Sequence, residues 1–469
     1  MPLIYLELFV VCLGIVLLFL ESLRCGISKT TLVGIAVAGL GLVLVSTFIC
    51  NFKLISVSPF YAADELALFY KQFILIATII VLLMSLPYSR IMEKGERTEE
   101  GVREFFILPL FACVGMMWLV SAKDFIFLFI ALELTTLVFY VLVAYMRRSV
   151  LCLEAGVKYF ILGAFSTGFL VYGISWIFGV TGHTNFEQIG NASISVSAYP
   201  ALLFGVGLVV IAIGFKIAAF PFQFWVPDVY QGAPTPVTAY LSVASKAAGF
   251  VVLLRVIEIP VLQSRILGIL GIAAGFTVLF GNLTALLQTN VKRLLAYSSI
   301  AHAGFLLMGV ASLNASSLAT KAISFYLGAY LLMTLLAFFA IIIVSCETGG
   351  DEMSNFKGLG KRSPLLAASI LLAMLSLAGI PLTAGFFGKF FIFMSAIQAH
   401  HWLLVGCGAL GVCCGFYYYL KIIGVMYWQG PSPDLGRIRV SADSATILVL
   451  LCIGIVFLGI FPHLLLALL

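Results

Sequence analysis

The sequence predicts an all-α polytopic membrane protein of about fourteen transmembrane helices, and three observations predict it. Of its 469 residues, 62% are hydrophobic and only 10% are charged, whereas soluble domains carry about 25% charged residues. Apolar runs long enough to cross about 30 Å of hydrocarbon recur along the whole chain. Two of these runs are interrupted in the same way, by a proline with a lysine nearby: FKIAAFP at 215–221 and AGIPLTAGFFGK at 378–389.

The first run, MPLIYLELFVVCLGIVLLFLESLRC, lacks a basic residue before its apolar core, carries Glu7 early and is too long for a signal-peptide core. It is expected to be a retained first span. The other spans centre at about residues 40, 77, 112, 135, 168, 212, 246, 277, 304, 333, 380, 414 and 456. Most connections are short. The longest polar one, 88–104, reads as a solvated loop, and 185–200, 347–363 and 429–443 are the other extended connections.

The ten cysteines show no ligand spacing and read as small buried hydrophobes, so neither a metal site nor a disulfide framework is expected. There is no nucleotide-binding glycine loop, no haem or iron–sulfur motif and no soluble domain. Redox or ATP chemistry is therefore expected on another chain, and a nucleic-acid partner is not.

The basic residues predict orientation. Connections after odd-numbered spans hold fifteen: Arg24, Lys29, Arg90, Lys94, Arg97, Arg103, Arg147, Arg148, Lys292, Arg293, Lys357, Lys361, Arg362, Arg437 and Arg439. Those after even-numbered spans are assigned six: Lys53, Lys71, Lys123, Arg255, Arg265 and Lys321. The positive-inside rule then puts the odd connections in the cytoplasm and both termini on the opposite side.

The breaks fall in the seventh and twelfth spans. Pro221 and Pro381 each remove one backbone donor, so the carbonyls of Ile217 and Leu377 lose their usual partners. Such backbone is tolerated at membrane depth only beside protein or a wet cavity. The two breaks are five spans apart, and a repeat of five spans must invert. Spans four to eight, about residues 105–260, and nine to thirteen, about 264–428, are therefore expected to be inverted repeats of one transmembrane domain.

Four ionisable residues lie deep in apolar runs: Glu133, Lys216, Lys246 and Lys389. Left charged and unpaired they would cost on the order of 10 to 14 kcal/mol together, comparable with the stability of a whole domain. They are expected to face the bundle interior. One acid cannot pair with three bases, and the distance of a carboxylate decides whether a buried lysine keeps its proton. Such groups are usable proton carriers, and the competing reading is a structural ion pair. Glu154 and Lys158 form an i, i+4 pair at the start of the sixth span, for which a structural role and a proton-uptake role stand side by side. His302, in AYSSIAHAGFLLMG, reads equally as a proton relay or as a neutral histidine making one interhelical hydrogen bond. His400 and His401 beside Trp402 suit an interfacial anchor. Tyr417, Tyr418 and Tyr419 suit packing or an interface, and Asn282 and Gln288 suit either cross-helix bonds or held water.

The runs FWVPDVYQGAPTPVTAYLSVASK, GNLTALLQTNVKRLLAYSSIAHAGF and LSLAGIPLTAGFFGKF resemble the subunit N family of bacterial NADH-quinone oxidoreductase, respiratory complex I. The likeness runs from about the fourth span to the thirteenth. The related subunits L and M usually carry Glu-Ala-Pro where this chain has Gln231-Gly232-Ala233-Pro234, and subunit M tends to carry a carboxylate where Lys389 stands. A long lateral helix of the subunit L kind is not expected after the last span. The resemblance implies an antiporter-like fold of fourteen helices in the bacterial inner membrane. In it, Glu133 and Lys216 would be the modulating pair of a central polar axis, Lys246 the connecting lysine and Lys389 the terminal one. It also implies that FMN, iron–sulfur clusters and quinone belong to other subunits, with subunits M and K as neighbours. A second reading is a cation/proton antiporter subunit of the Mrp type, which the chain also resembles. A third is a purely structural membrane subunit, against which the four deep charges argue.

Overall fold

The computed structural model describes residues 2–23, 28–49, 59–95, 102–195, 197–259, 263–430 and 436–467. Arg24, Lys53 and Arg97 of the basic set lie outside them. The chain is helical: α1 (Ile4–Ser22), α2 (Lys29–Ile49), α3 (Glu65–Gly95), α4 (Glu104–Val120), α5 (Phe125–Val143), α6 (Val150–Thr181), α7 (Phe186–Asn191), α8 (Tyr199–Ile217), α9 (Trp225–Gly232) and α10 (Thr235–Tyr240) are followed by a π-helical turn at Leu241–Ser245. Then come α11 (Lys246–Ile257), α12 (Gln263–Ala285), α13 (Val291–Ala311), α14 (Ala319–Thr348), α15 (Leu359–Arg362), α16 (Pro364–Ala378), α17 (Ala384–Gln398), α18 (Trp402–Tyr427), α19 (Ala442–Ile460) and α20 (Pro462–Ala467).

Among the described residues, twelve helices are long and apolar enough to cross a membrane, with α10, the π turn and α11 forming one of them. The shorter apolar α4 and the broken pair α16 and α17 complete the fourteen crossings expected. The third span corrects two expectations. It continues to Gly95, so the solvated loop begins later than residue 88. It also contains Lys71, which is buried in the helix and not in a connection. Arg255 likewise lies in the last turn of α11 and is buried.

The chain divides into two units, residues 1–218 with 232–267 and residues 219–231 with 268–469. In the first, the span 235–257 is buried along its whole apolar length, and in the second α13 is buried in the same way. A polar group on either helix therefore faces protein. Each unit also contains the same backbone device. In the first, Phe186 donates to the Lys123 carbonyl and Phe125 to that of Thr184, both at 3.0 Å. In the second, Met353 donates to Thr289 at 3.0 Å and Val291 to Asp351 at 2.9 Å. The residue inside each bridge caps the helix that follows: Asp124 accepts from Ile126 and Phe127 at the start of α5, and Asn290 accepts from Arg293 at the start of α13. These matched bridges fall at corresponding places in the two stretches expected to be repeats, about residues 105–260 and 264–428.

Candidate functional site

In the first unit the site is built on the end of α8. This apolar helix stops where Ala218 takes φ +64, a left-handed conformation costing roughly 1–2 kcal/mol without glycine. Lys216 lies in the last turn, where the helix dipole favours a cation. Its Nζ is buried, makes no hydrogen bond among the described residues and lies 5.8 Å from the centroid of the Phe139 ring on α5. Glu133, six residues before Phe139, is half-buried, and its Oε1 accepts a 2.7 Å hydrogen bond from Thr167 on α6. Glu133 and Lys216 are thus on facing elements but are not locked as a hydrogen-bonded ion pair.

Lys246 follows directly after the π-helical turn and is 2% exposed. A π turn inserts an extra residue into the helical ladder and re-aims the side chains that follow. One turn later, Gly249 receives the end of α8. A Cβ there would stand 2.8 Å from Ile217 Cγ2 and 3.3 Å from Lys216 Cγ, so only glycine admits the approach. The face of α11 that carries Lys246 is therefore the face that meets Lys216.

In the second unit, α16 closes at Gly379, whose φ is +87. Gly379 donates to Ser376 and Ile380 to Leu375, each at 3.0 Å, the two bonds of a Schellman motif. The carbonyls of Leu377 and Ala378 remain. Lys389, on α17, donates from Nζ to both, at 2.8 and 2.9 Å. The carbonyl expected to be freed by Pro381 is thus taken by the deep lysine itself. A side chain at Gly379 would also meet Lys389 Cδ at 3.0 Å.

Lys389 Nζ lies 5.3 Å from the Phe305 ring centroid, one turn along α13 from His302. The His302 ring is bonded at both nitrogens, Nδ1 to Tyr326 Oη at 2.6 Å and Nε2 to Tyr419 Oη at 3.1 Å. Tyr419 Oη also bonds Ser298 Oγ, and Tyr418 donates to Asn282 Oδ1 at 3.0 Å. His302 is therefore neither a singly bonded histidine nor isolated. Tyr418 and Tyr419 are members of a buried polar network rather than interface residues, whereas Tyr417 is 63% exposed. Elsewhere in this unit both polar atoms of Gln223 are buried without a hydrogen-bond partner among the described residues.

Residues 122–415 match the model of the NADH:quinone oxidoreductase/Mrp antiporter transmembrane family. NADH-quinone oxidoreductase subunit N of Trichlorobacter lovleyi is 40% identical over 99% of this chain and 94% of its own length. The chain belongs to the subunit N family of NADH-quinone oxidoreductase. Subunit N of Desulforamulus reducens is 38% identical over 98% of the chain and 95% of its own. A chain of respiratory complex I from Thermus thermophilus superposes with a TM-score of 0.82 at 31% identity, covering 98% of each chain. A chain of the Mrp complex from Dietzia sp. superposes at 0.86, covering 99% of this chain and 95% of its own, but at 21% identity that likeness concerns the fold alone.

Two of the stretches that resemble the subunit N family meet at one guanidinium. Arg293 Nη1 donates to Asp228 Oδ1 at 2.8 Å and to Gln231 Oε1 at 2.9 Å. Glu154 and Lys158 form their expected pair at 2.7 Å, with side chains 52% and 41% exposed. Lys158 stands on α6 nine residues before Thr167, about 13.5 Å of helix rise, and Glu154 one turn earlier. His401 bonds the Ala311 carbonyl at 3.2 Å, and Trp402 is exposed, as an anchor would be.

The sequence reading missed two buried ionic groups of the first unit. Lys71 pairs with Glu7 at 2.6 Å, and Arg255 pairs with Asp64 through two bonds of 2.9 Å. A signal was present for Lys71, since a span of about twenty residues centred near 77 already contains it.

Proposed function

We propose that this chain is a proton-translocating membrane subunit of an NADH-quinone oxidoreductase, in which Glu133, Lys216, Lys246 and Lys389 exchange protons, with His302 as a relay. The observation that carries the reading is Lys216: a buried amine at the end of a broken helix, bonded to nothing among the described residues, facing the helix of a carboxylate that Thr167 holds. A lysine kept for structure would be paired, because an unpaired buried charge is strongly destabilising. A lysine that must both take and give a proton needs an acid near enough to matter and not bonded to it. Moving one proton against 100 mV costs about 2.3 kcal/mol, and a change of two pKa units at a buried pair supplies about 2.7 kcal/mol.

In this reading FMN, iron–sulfur clusters and quinone act on other subunits, and their turnover changes the separation of Glu133 and Lys216. Subunits M and K are the neighbours, the membrane is the bacterial inner membrane, and both termini lie on its non-cytoplasmic side. Removing Lys71 and Arg255 from the connections widens the charge asymmetry behind that orientation. The half-exposed Glu154 and Lys158 are assigned proton uptake at the surface of α6. The test is Glu133→Ala in the assembled complex. The reading expects NADH oxidation to continue with proton pumping lost, and pumping at the parental ratio would remove Glu133 from the path.

A further inference from the structure

Glu7 of α1, Lys71 of α3 and Tyr61 of the segment before α3 form a cluster with no part in the site above. The Glu7 and Lys71 side chains are both 0% exposed and lie 2.6 Å apart. Tyr61 Oη donates to the same oxygen, Glu7 Oε1, at 2.8 Å, and accepts from Lys71 Nζ. The phenol thus joins acid and amine. The second carboxylate oxygen, Glu7 Oε2, is buried with no hydrogen-bond donor among the described residues. Ser121 Oγ is buried beside the Tyr61 phenol, and the Ser121 carbonyl accepts from Ala62, next to Tyr61.

A bridge kept only to fasten α1 to α3 would use both oxygens, since an ion pair out of water repays its desolvation only when its remaining lone pairs are satisfied. Two apolar side chains would fasten the helices as well. An acid with a donor already aimed at Oε1 and Oε2 left bare is less costly when Oε1 takes that donor's proton, because Oε2 then becomes the oxygen of a neutral carboxyl. The charged groups facing the cluster are Asp64 before α3 and Arg255 from α11, bound to each other, with Lys123 beside Asp64. The end of α4 presents Ser121, and its middle presents the Cys113 thiol. Glu7, Asp64 and Glu258 balance Lys71, Arg255 and Lys123.

We infer that Glu7, Tyr61 and Lys71 form a second proton-exchanging site. Tyr61 passes its proton to Glu7 and takes one from Lys71: one N–H bond breaks, one O–H bond forms on the carboxyl, and the phenol is restored. Acid and amine are then both neutral, and the net charge of the cluster is unchanged, so neither state leaves a lone buried charge. The neutral amine is then free to take a further proton. The inference rests on the reading that this chain moves protons.

The intact complex tests it by infrared difference spectroscopy between its oxidised and NADH-reduced forms. A protonated-carboxyl band is expected in the parent, lost in Glu7→Gln and shifted in Tyr61→Phe, which keeps both charges and the ring. Retention of every such band in Glu7→Gln, or an unmoved band in Tyr61→Phe, overturns the site. In liposomes the double variant Glu7→Gln, Lys71→Met, which removes acid and amine together and strands neither charge, is expected to assemble and to pump fewer protons per NADH, and a parental ratio would overturn the site. The band reports Glu7 alone. If it is lost in Glu7→Gln while Glu133→Ala still pumps normally, the reading of Glu133 fails and the second site stands. The reverse pattern removes only the second site.

Discussion

Lys389 Nζ lies 2.8 Å from the carbonyl of Leu377, the acceptor that Pro381 leaves without a backbone donor. The break in the helix and the deep lysine are therefore one feature: the half-helix ends on an amine, and the amine is held by the half-helix. Lys389→Met keeps the length of the side chain and removes the donor. The expected cost is about 1–3 kcal/mol for buried carbonyls left unbonded, read as a lower Tm of the purified complex, together with reduced pumping. An unchanged Tm would mean that the two carbonyls find another donor.

Gly249 is the point at which α11 admits the end of α8. Gly249→Val places new carbon where even a Cβ would stand 2.8 Å from Ile217, and overpacking of this kind costs roughly 1–3 kcal/mol. Because Lys216 Cγ lies 3.3 Å from the same position, the variant is expected to displace Lys216 and lower the protons pumped per electron more than it lowers NADH oxidation. Equal falls in both would mark it as a stability defect only.

His302 uses both ring nitrogens, so its two phenol partners test its role separately. Tyr326→Phe and Tyr419→Phe each remove one bond and keep the ring. If His302 relays protons, each variant lowers pumping while NADH oxidation continues. If the histidine is structural, each lowers Tm by the roughly 0.5–1.5 kcal/mol typical of one hydrogen bond and leaves the pumping ratio alone.

Asp64 sits outside the spans, and its carboxyl has two opposed influences. Burial raises it, and the bonds and charge of Arg255 outweigh burial and hold it below its usual value. A carboxylate held low in the folded state contributes stability that is complete above its unfolded value, about 3.9, and is lost as pH falls through the folded value. Tm of the parent is therefore expected to drop as pH falls below about 4, and Asp64→Asn to lack this component. At neutral pH the same variant leaves the buried Arg255 with its 2.8 Å bond to the Val120 carbonyl, and is expected to cost about 1–3 kcal/mol. A variant with the parental Tm at pH 7 would show that Arg255 is satisfied without Asp64.

Much of this was legible in the residues, and the reasons are local. Pro221 and Pro381 interrupt apolar runs, and Lys216, Lys246 and Lys389 stand in such runs, so single stretches of sequence announce them. What was hidden depends on residues far apart. Lys71 was assigned to a connection although the span centred near 77 contains it, and its partner Glu7 lies 64 positions away. The acceptor at Leu377 was foreseen, but its donor was not, because only the return of α17 brings Lys389 back to it. Tyr418 and Tyr419 misled for another reason: a tyrosine suits an interface and a buried hydrogen-bonded core equally well. The π turn before Lys246 is a property of the backbone, and no residue in LSVAS marks it.

The central claim is that Lys216 carries protons, and the number of protons translocated per NADH oxidised by the assembled Lys216→Ala complex tests it most directly. The account predicts a complex that assembles and oxidises NADH with its pumping lost. An assembled variant pumping at the parental ratio would contradict it.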